Sequence, residues 1–129
     1  MTVLLDTHAL YWWAAEPARL SLRAAGVIES AGDLAVAAIT WWELAWLVRR
    51  GRIGAGVPAR TLIANLARDV QTVPLTPSIA ASAAALGDAF SNDPGDRLIY
   101  ATAVEHGWQL ISKDARFHAH DAEGKTVIW

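Results

Sequence analysis

The 129-residue sequence contains no cysteine, one methionine, two tyrosines and two phenylalanines, and it has no long apolar run. Without cysteine the chain cannot form disulfide bonds, thiolate zinc sites or a cysteine nucleophile. The apolar runs are shorter than the roughly 20 residues that cross a bilayer, and no basic leader precedes Asp6, so we expect neither a membrane anchor nor a signal peptide. A cysteine-free chain is compatible with the reducing cytoplasm, and we expect a cytoplasmic protein.

The sequence also has little net charge. Eleven basic residues face 13 acidic ones, for a formal charge of -2. Proteins that bind nucleic acid by bulk electrostatics present a strongly basic face, so any nucleic-acid chemistry here must use local basic groups or a metal ion. With 53% hydrophobic and 19% charged residues, intrinsic disorder is excluded. The length predicts a single folding unit spanning residues 1–129.

Short apolar runs alternate with helical patterns along the chain. The predicted strands are residues 3–5, 34–39, 70–73, 108–111 and 126–128. The predicted helices are residues 7–15, 22–28, 40–50, 58–68, 78–90, 94–105 and 115–117, with a glycine-bearing loop at 52–57. This alternation predicts an α/β fold, with a mostly parallel central sheet of four to five strands and helices on both faces. In such sheets, ligands bind beyond the carboxyl ends of the strands.

Four carboxylates fall at those strand ends. Asp6 follows the first strand and Glu43 lies one helical turn past the second, while Asp96 precedes the fourth strand and Asp114 follows it. Two carboxylates about 4 Å apart repel by about 4 kcal/mol at an effective dielectric near 20, so a proton or a cation must relieve the repulsion. Oxygen ligands without thiolates favour Mg²⁺ or Mn²⁺. Such an ion can activate water against a phosphoryl group, which predicts metal-assisted phosphodiester hydrolysis.

Helix capping is the alternative explanation for three of these acids. Thr40 and Glu43 fit a capping box. Asp93 fits the N-cap of a helix whose first turn holds a second acid, Asp96, and Asp114 fits an N-cap of the same kind. Asp6 ends an apolar strand and has no obvious cap to make, which favours a functional role. The set of four taken together also favours function.

Four segments stand out by their order and spacing. They are LLDTHAL at residues 4–10, TxxEL at 40–44, DPGDRLIYATA at 93–103 and LISKD at 110–114. Together they resemble the PIN-domain ribonucleases, and most closely the VapC-type toxins of toxin–antitoxin pairs. The resemblance covers essentially the whole chain, and residues 93–103 are its most specific part.

This resemblance implies a PIN-like fold and Mg²⁺-dependent endonucleolytic cleavage of RNA, with Mn²⁺ able to substitute. It also implies neutralisation by a cognate antitoxin and assembly as a homodimer. The catalytic and metal-binding residues carried over from the family are Asp6, Glu43, Asp96 and Asp114. Asp93 is an accessory acid at the rim, and Ser112 is a hydroxyl neighbour of the metal or substrate.

Two arginines lie beside proposed acids. Arg97 follows Asp96 and Arg116 lies two residues after Asp114, so we expect both to contact RNA phosphates. A basic cluster formed by Arg49, Arg50 and Arg52 either complements a helix terminus or contacts phosphates or an acidic antitoxin segment.

The seven tryptophans are many for this length. Neither the adjacent pair Trp12 and Trp13 nor the pair Trp41 and Trp42 can place both rings in one core, so we expect at least one ring of each pair to be partly exposed. Exposed tryptophans are typical interface anchors. We therefore expect a groove for a partner helix or a homodimer contact, in preference to stacking on RNA bases.

Three other functions are alternatives to hydrolysis. The alternative that stays open is a non-catalytic protein- or RNA-binding module on the same fold. A phosphoacceptor receiver domain needs an acceptor aspartate after the third strand, where Val73 is followed by Pro74. A haloacid-dehalogenase-type phosphatase needs an aspartate two residues after Asp6, where His8 stands.

Overall fold

A computed structural model describes residues 1–54 and 56–129. Within that part of the chain, five strands form one sheet that is accompanied by seven α-helices. The strands are β1 Thr2–Leu5, β2 Asp33–Ala37, β3 Gln71–Val73, β4 Gln109–Ile111 and β5 Val127–Ile128. The helices are α1 Thr7–Ala15, α2 Leu22–Ser30, α3 Ile39–Arg49, α4 Ala59–Leu66, α5 Pro77–Ala85, α6 Pro94–His106 and α7 Ala115–His120, and a 3₁₀ turn at Pro17–Arg19 follows α1.

The sheet is parallel throughout, in the order β3-β2-β1-β4-β5. In its register Leu4 of the central strand lies beside Ala35 of β2 and Leu110 of β4. The chain builds outward from β1 through β2 to β3 and then returns to the other side of β1 for β4 and β5. This reversal opens a crevice between the carboxyl ends of β1 and β4, which is where parallel sheets bind ligands. The predicted α/β fold is confirmed.

Helices cover both faces of the sheet because strand side chains alternate between its two sides. On one side Leu4 packs in a core with residues of α5, α6 and α7. On the other side Val3 and Leu5 pack with residues of α1, α2, α3 and α4. Both faces of β1 are therefore buried, which explains why its sequence is an unbroken apolar run rather than an alternating one.

One error in the predicted boundaries lies at the junction of β2 and α3. The strand ends at Ala37, and Ala38 already has helical backbone angles (φ -54, ψ -34), so Thr40 lies inside α3 instead of capping it. The apolar run continues from the strand into the helix, which removes the usual boundary signal. The predicted capping box is therefore wrong.

The helix predicted at residues 78–90 is also shorter than expected. It starts at Pro77, with the Thr76 hydroxyl accepting from the Ile79 N–H at 3.2 Å, and it ends at Ala85. Its last carbonyl groups bind the Arg97 side chain instead of a further helical turn. The other predicted elements lie within a few residues of their observed bounds.

The predicted loop at residues 52–57 includes Ala55, which lies outside the described residues. Gly51 directly follows α3 with a φ of +70°, as expected for a glycine that ends a helix. In residues 1–54 and 56–129, no helix combines the length and apolar character needed to cross a membrane.

Candidate active site

A cleft of about 670 Å³ opens at the carboxyl ends of β1 and β4. The four acids predicted to converge all line it, together with a fifth: Asp6, Glu43, Asp93, Asp96 and Asp114. They come from the ends of β1 and β4, from α3 and from the start of α6. Five carboxylates face two formal cations, Lys113 and Arg116, so three negative charges are in excess.

Asp6 is the single residue between β1 and α1. Its N–H donates to the Ile111 carbonyl at 3.1 Å, which continues the pairing with β4. Its Oδ1 accepts from the Ala9 N–H at 2.8 Å, so Asp6 is the N-cap of α1. The expectation that it makes no cap is wrong, because β1 passes directly into α1 and leaves this carboxylate at the helix N-terminus. Burial raises the pKa of Asp6, and hydrogen bonds from the Ser112 hydroxyl and the Ala9 N–H lower it in part.

Glu43 projects from α3 toward α1. The Thr7 hydroxyl donates to Glu43 Oε1 at 2.5 Å and lies 3.3 Å from the Thr40 hydroxyl. Thr7 and Thr40 are both buried, so they form a fixed polar contact beneath the carboxylate. Burial raises the pKa of Glu43 to about 6; the Thr7 hydrogen bond lowers it, and Coulombic repulsion from neighbouring aspartates raises it further.

Gly95 allows the Glu43 carboxylate to lie against the first turn of α6. A Cβ atom at this position would collide with Glu43 Oε2 and would stand 3.0 Å from both Glu43 Cδ and Asp93 Oδ1. Only glycine leaves this space. Gly95 and Thr7 were not among the predicted site residues, although both lie inside the segments that carry the family resemblance.

Asp93 and Asp96 occupy the N-terminus of α6. Asp93 Oδ1 accepts from the Asp96 N–H at 3.0 Å, so the predicted N-cap is confirmed. Asp96 Oδ2 accepts from the Ser91 hydroxyl at 2.7 Å. Burial raises the pKa of Asp96, and this rise is opposed by Ser91 and by the guanidinium of Arg116. Ser91 was not among the predicted site residues.

Arg116 bridges two of the acids. Its Nη2 lies 2.7 Å from Asp114 Oδ2 and 3.0 Å from Asp96 Oδ2. Asp114 is the N-cap of α7 and accepts from the Arg116 N–H at 2.9 Å. The Arg116 side chain lowers the pKa of Asp114 and has its own pKa raised in return. Ser112 is buried, and its Oγ accepts from the Asp114 N–H at 3.1 Å.

Arg97 is not among the residues that line the cleft. Its guanidinium donates at 2.8–3.2 Å to four backbone carbonyl oxygens, those of Ala83, Leu86, Gly87 and Ser91. These bonds fasten the end of α5 and the following turn to α6. Arg97 therefore supports the fold around the acids, and the phosphate contact expected of it does not match this geometry.

The donor set suits a hard divalent cation, because it offers carboxylate and hydroxyl oxygens and no sulfur. In residues 1–54 and 56–129, no three Asp, Glu or His side chains stand close enough to cage an ion as they are placed. Arg116 instead provides one positive charge between Asp96 and Asp114. Burial is the main cause of the raised pKa values of Asp6, Glu43 and Asp96, and repulsion from neighbouring carboxylates raises them further.

Comparison with known proteins supplies the family. The PIN-domain family model matches residues 3–123. Over 128 residues the chain is 53% identical to Ribonuclease VapC22 of Mycobacterium tuberculosis (strain ATCC 25618 / H37Rv), covering 99% of this chain and 98% of that protein.

Solved structures share the fold at lower identity. A toxin–antitoxin complex from Klebsiella pneumoniae aligns with a TM-score of 0.68 at 20% identity and covers 98% of this chain and 96% of that one. VapBC-1 from nontypeable Haemophilus influenzae aligns with a TM-score of 0.69 at 16% identity and covers 95% and 94%. The family match and the close relative span nearly the whole chain. This chain therefore belongs to the PIN-domain family, as a VapC-type ribonuclease.

Proposed function

We propose that this chain cleaves RNA internally, as an endoribonuclease, by hydrolysing phosphodiester bonds with Mg²⁺, for which Mn²⁺ can substitute. The proposal rests on the observation that five carboxylates share one cleft with only two cationic side chains. Such a cleft repels an RNA backbone until a divalent ion offsets the excess charge. Family membership supports RNA as the substrate class, since the 53% identical relative is a ribonuclease.

The residues that would hold the ion are Asp6, Glu43, Asp96 and Asp114. When bound, the ion neutralises charge on the phosphoryl group and makes water a stronger nucleophile. Asp93 and Ser112 act as positioning residues, because Asp93 caps the helix that carries Asp96 and Ser112 holds the backbone of Asp114.

Arg116 links metal binding to substrate binding in this proposal. Its guanidinium pairs with Asp96 and Asp114, the same carboxylates that would ligate the ion. With Asp96 and Asp114 engaged by an ion, the guanidinium of Arg116 would be released at the rim of the cleft, where it would contact a substrate phosphate. The side chain of Arg116 is 58% exposed, so it has room to move.

We further propose that the chain acts as the toxin of a toxin–antitoxin pair, is neutralised by a cognate antitoxin, forms a homodimer and works in the cytoplasm. One solved structure with the same fold is described as a toxin–antitoxin complex and another as a member of the VapBC family of toxin–antitoxin systems, which supports a protein partner. Co-expression with any small reading frame found beside the gene tests the partner, and light scattering tests the dimer.

Cleavage of RNA by wild-type protein and by Asp6→Asn, with and without EDTA, tests the catalytic proposal. We expect EDTA and Asp6→Asn each to abolish cleavage, while asparagine still caps α1 and preserves the fold. Asp69→Asn, at an exposed acid outside the cleft, is the matched control and should cleave normally. RNA binding without any cleavage in the presence of Mg²⁺ would instead favour the non-catalytic binding module.

A further inference from the structure

The exposed face of α3 carries two stacked tryptophans. The rings of Trp42 and Trp46 lie 5.6 Å apart between centroids, with their planes within 13° of each other. Trp42 is 59% exposed and Trp46 is 41% exposed. Tryptophan is among the most buried residue types on average, so two adjacent exposed rings need an explanation.

This tryptophan pair belongs to the same cleft as the acids. Both rings line the cleft, and Trp42 directly precedes Glu43 in α3. Trp12 of α1 also lines it and contacts the ring of His8 at 5.6 Å between centroids. Aromatic rings from both α1 and α3 therefore line the same cleft as the carboxylates.

Positive charge adjoins the pair. The guanidinium carbons of Arg49 and Arg50 lie 5.7 and 5.8 Å from the centre of the Trp46 ring. Both arginines are exposed, and neither takes part in an ion pair among the described residues. The end of α3 thus combines aromatic faces with cations that are available to an anionic ligand.

We propose that Trp42 and Trp46 form a stacking subsite for the bases of single-stranded RNA beside the cleaved phosphate, and that Arg49 and Arg50 contact the phosphates of the adjoining nucleotides. The inference rests on the proposed function and adds how the substrate is held. It revises the sequence-based expectation of a protein interface, because the structure places the pair in the acidic cleft.

The charge balance explains why such a subsite is needed. The chain has a formal charge of -2, so bulk electrostatic attraction cannot hold a polyanion. Base–aromatic stacking needs no charge and accepts every base, because each base has a π-face. Stacking on α3 would thus supply the binding that the acidic cleft itself opposes, and the two arginines would add local attraction.

Binding of a short, mixed-sequence, single-stranded oligoribonucleotide tests the subsite, with Ca²⁺ in place of Mg²⁺ to prevent cleavage. We expect Trp42→Leu and Trp46→Leu each to weaken the affinity by about 5- to 150-fold, the range that stacking of one base supplies. Trp46→Phe should recover part of the affinity because it keeps an aromatic face. Trp108→Phe, at a half-buried tryptophan outside the cleft, is the matched control and should bind normally.

Two further measurements separate this subsite from the catalytic proposal. Arg49→Gln combined with Arg50→Gln should weaken binding and reduce its salt dependence. In cleavage assays the tryptophan variants should have a higher KM than the wild-type protein, with little change in kcat. If the wild-type protein binds RNA through these tryptophans but does not cleave it, the proposed function is contradicted and the subsite is not.

Three results would overturn the subsite. The first is unchanged RNA affinity in a folded Trp42→Leu, Trp46→Leu double variant. The second is a shift of that variant from dimer to monomer with RNA affinity retained, which would assign the pair to a contact between two copies of the chain. The third is loss of antitoxin affinity with RNA affinity retained, which would assign it to the protein partner.

Discussion

Replacing Gly95 by alanine should displace the Glu43 carboxylate while leaving the backbone of α6 unchanged. Gly95 lies in the first turn of α6 and has no positive φ, so alanine fits its backbone. The added Cβ collides with Glu43 Oε2 and stands 3.0 Å from Glu43 Cδ. Because the Thr7 hydroxyl holds the other carboxylate oxygen, Glu43 cannot yield without losing that hydrogen bond.

Two opposing contributions set the change in the free energy of unfolding that Gly95→Ala causes. A hydrogen bond to a charged group contributes about 1.5–3 kcal/mol, whereas exchanging glycine for alanine in a helix gains at most about 1 kcal/mol. We expect the free energy of unfolding of metal-free Gly95→Ala to fall by about 1–2 kcal/mol. The larger effect is on metal: with one ligand displaced, the Mn²⁺ affinity should fall at least about tenfold, as should RNA cleavage.

Calorimetric melting with and without Mn²⁺, titration calorimetry and RNA cleavage form the assay. Gly26→Ala is the matched control, because Gly26 also lies in a helix and its added Cβ meets no atom within 4 Å. This control should be slightly stabilised, with normal metal binding. Combining Gly95→Ala with Glu43→Asp, which shortens the colliding side chain, should recover part of the lost affinity. Wild-type Mn²⁺ affinity in Gly95→Ala would refute the placement of Glu43 in the metal site.

Three other predictions concern charge and packing around the cleft. Arg116→Gln should raise the Mn²⁺ affinity several-fold in titration calorimetry, because the guanidinium competes for Asp96 and Asp114; equal or weaker binding would contradict this role. The pKa of Glu43 is raised from 4.5 to about 6, so the folded state binds its proton more tightly than the unfolded state, and metal-free stability should decrease as pH rises from about 4.5 to 6. Urea unfolding should show this decrease, to which Glu43 contributes less than about 2 kcal/mol, and Glu43→Gln should remove that contribution and leave the part due to Asp6 and Asp96. Arg97→Ala should lower the free energy of unfolding by about 2–4 kcal/mol, because four hydrogen bonds to backbone carbonyl groups are lost, and a change below about 0.5 kcal/mol would show that water replaces the guanidinium.

The chain order of strands and helices, the parallel sheet and the set of acids were all readable from the sequence. Val3, Leu4 and Leu5 form an apolar run because both faces of β1 are covered, and this pattern is local. Asp93 lies directly before a proline that starts a helix, so its cap was predictable from neighbouring residues alone. Patterns of this kind can be read from the sequence alone, because the interactions that cause them join residues only a few positions apart.

Tertiary structure alone decided how the acids are held and what surrounds them. The Thr7 hydroxyl reaches Glu43 across 36 positions, Gly95 makes room for the same carboxylate, and Arg97 turns away to bind backbone carbonyl groups. The exposed tryptophans of α3 enter the acidic cleft for the same reason. Each of these contacts depends on how separate helices pack against the sheet and on the direction in which a side chain leaves its helix, and neither quantity is encoded in residues adjacent along the chain.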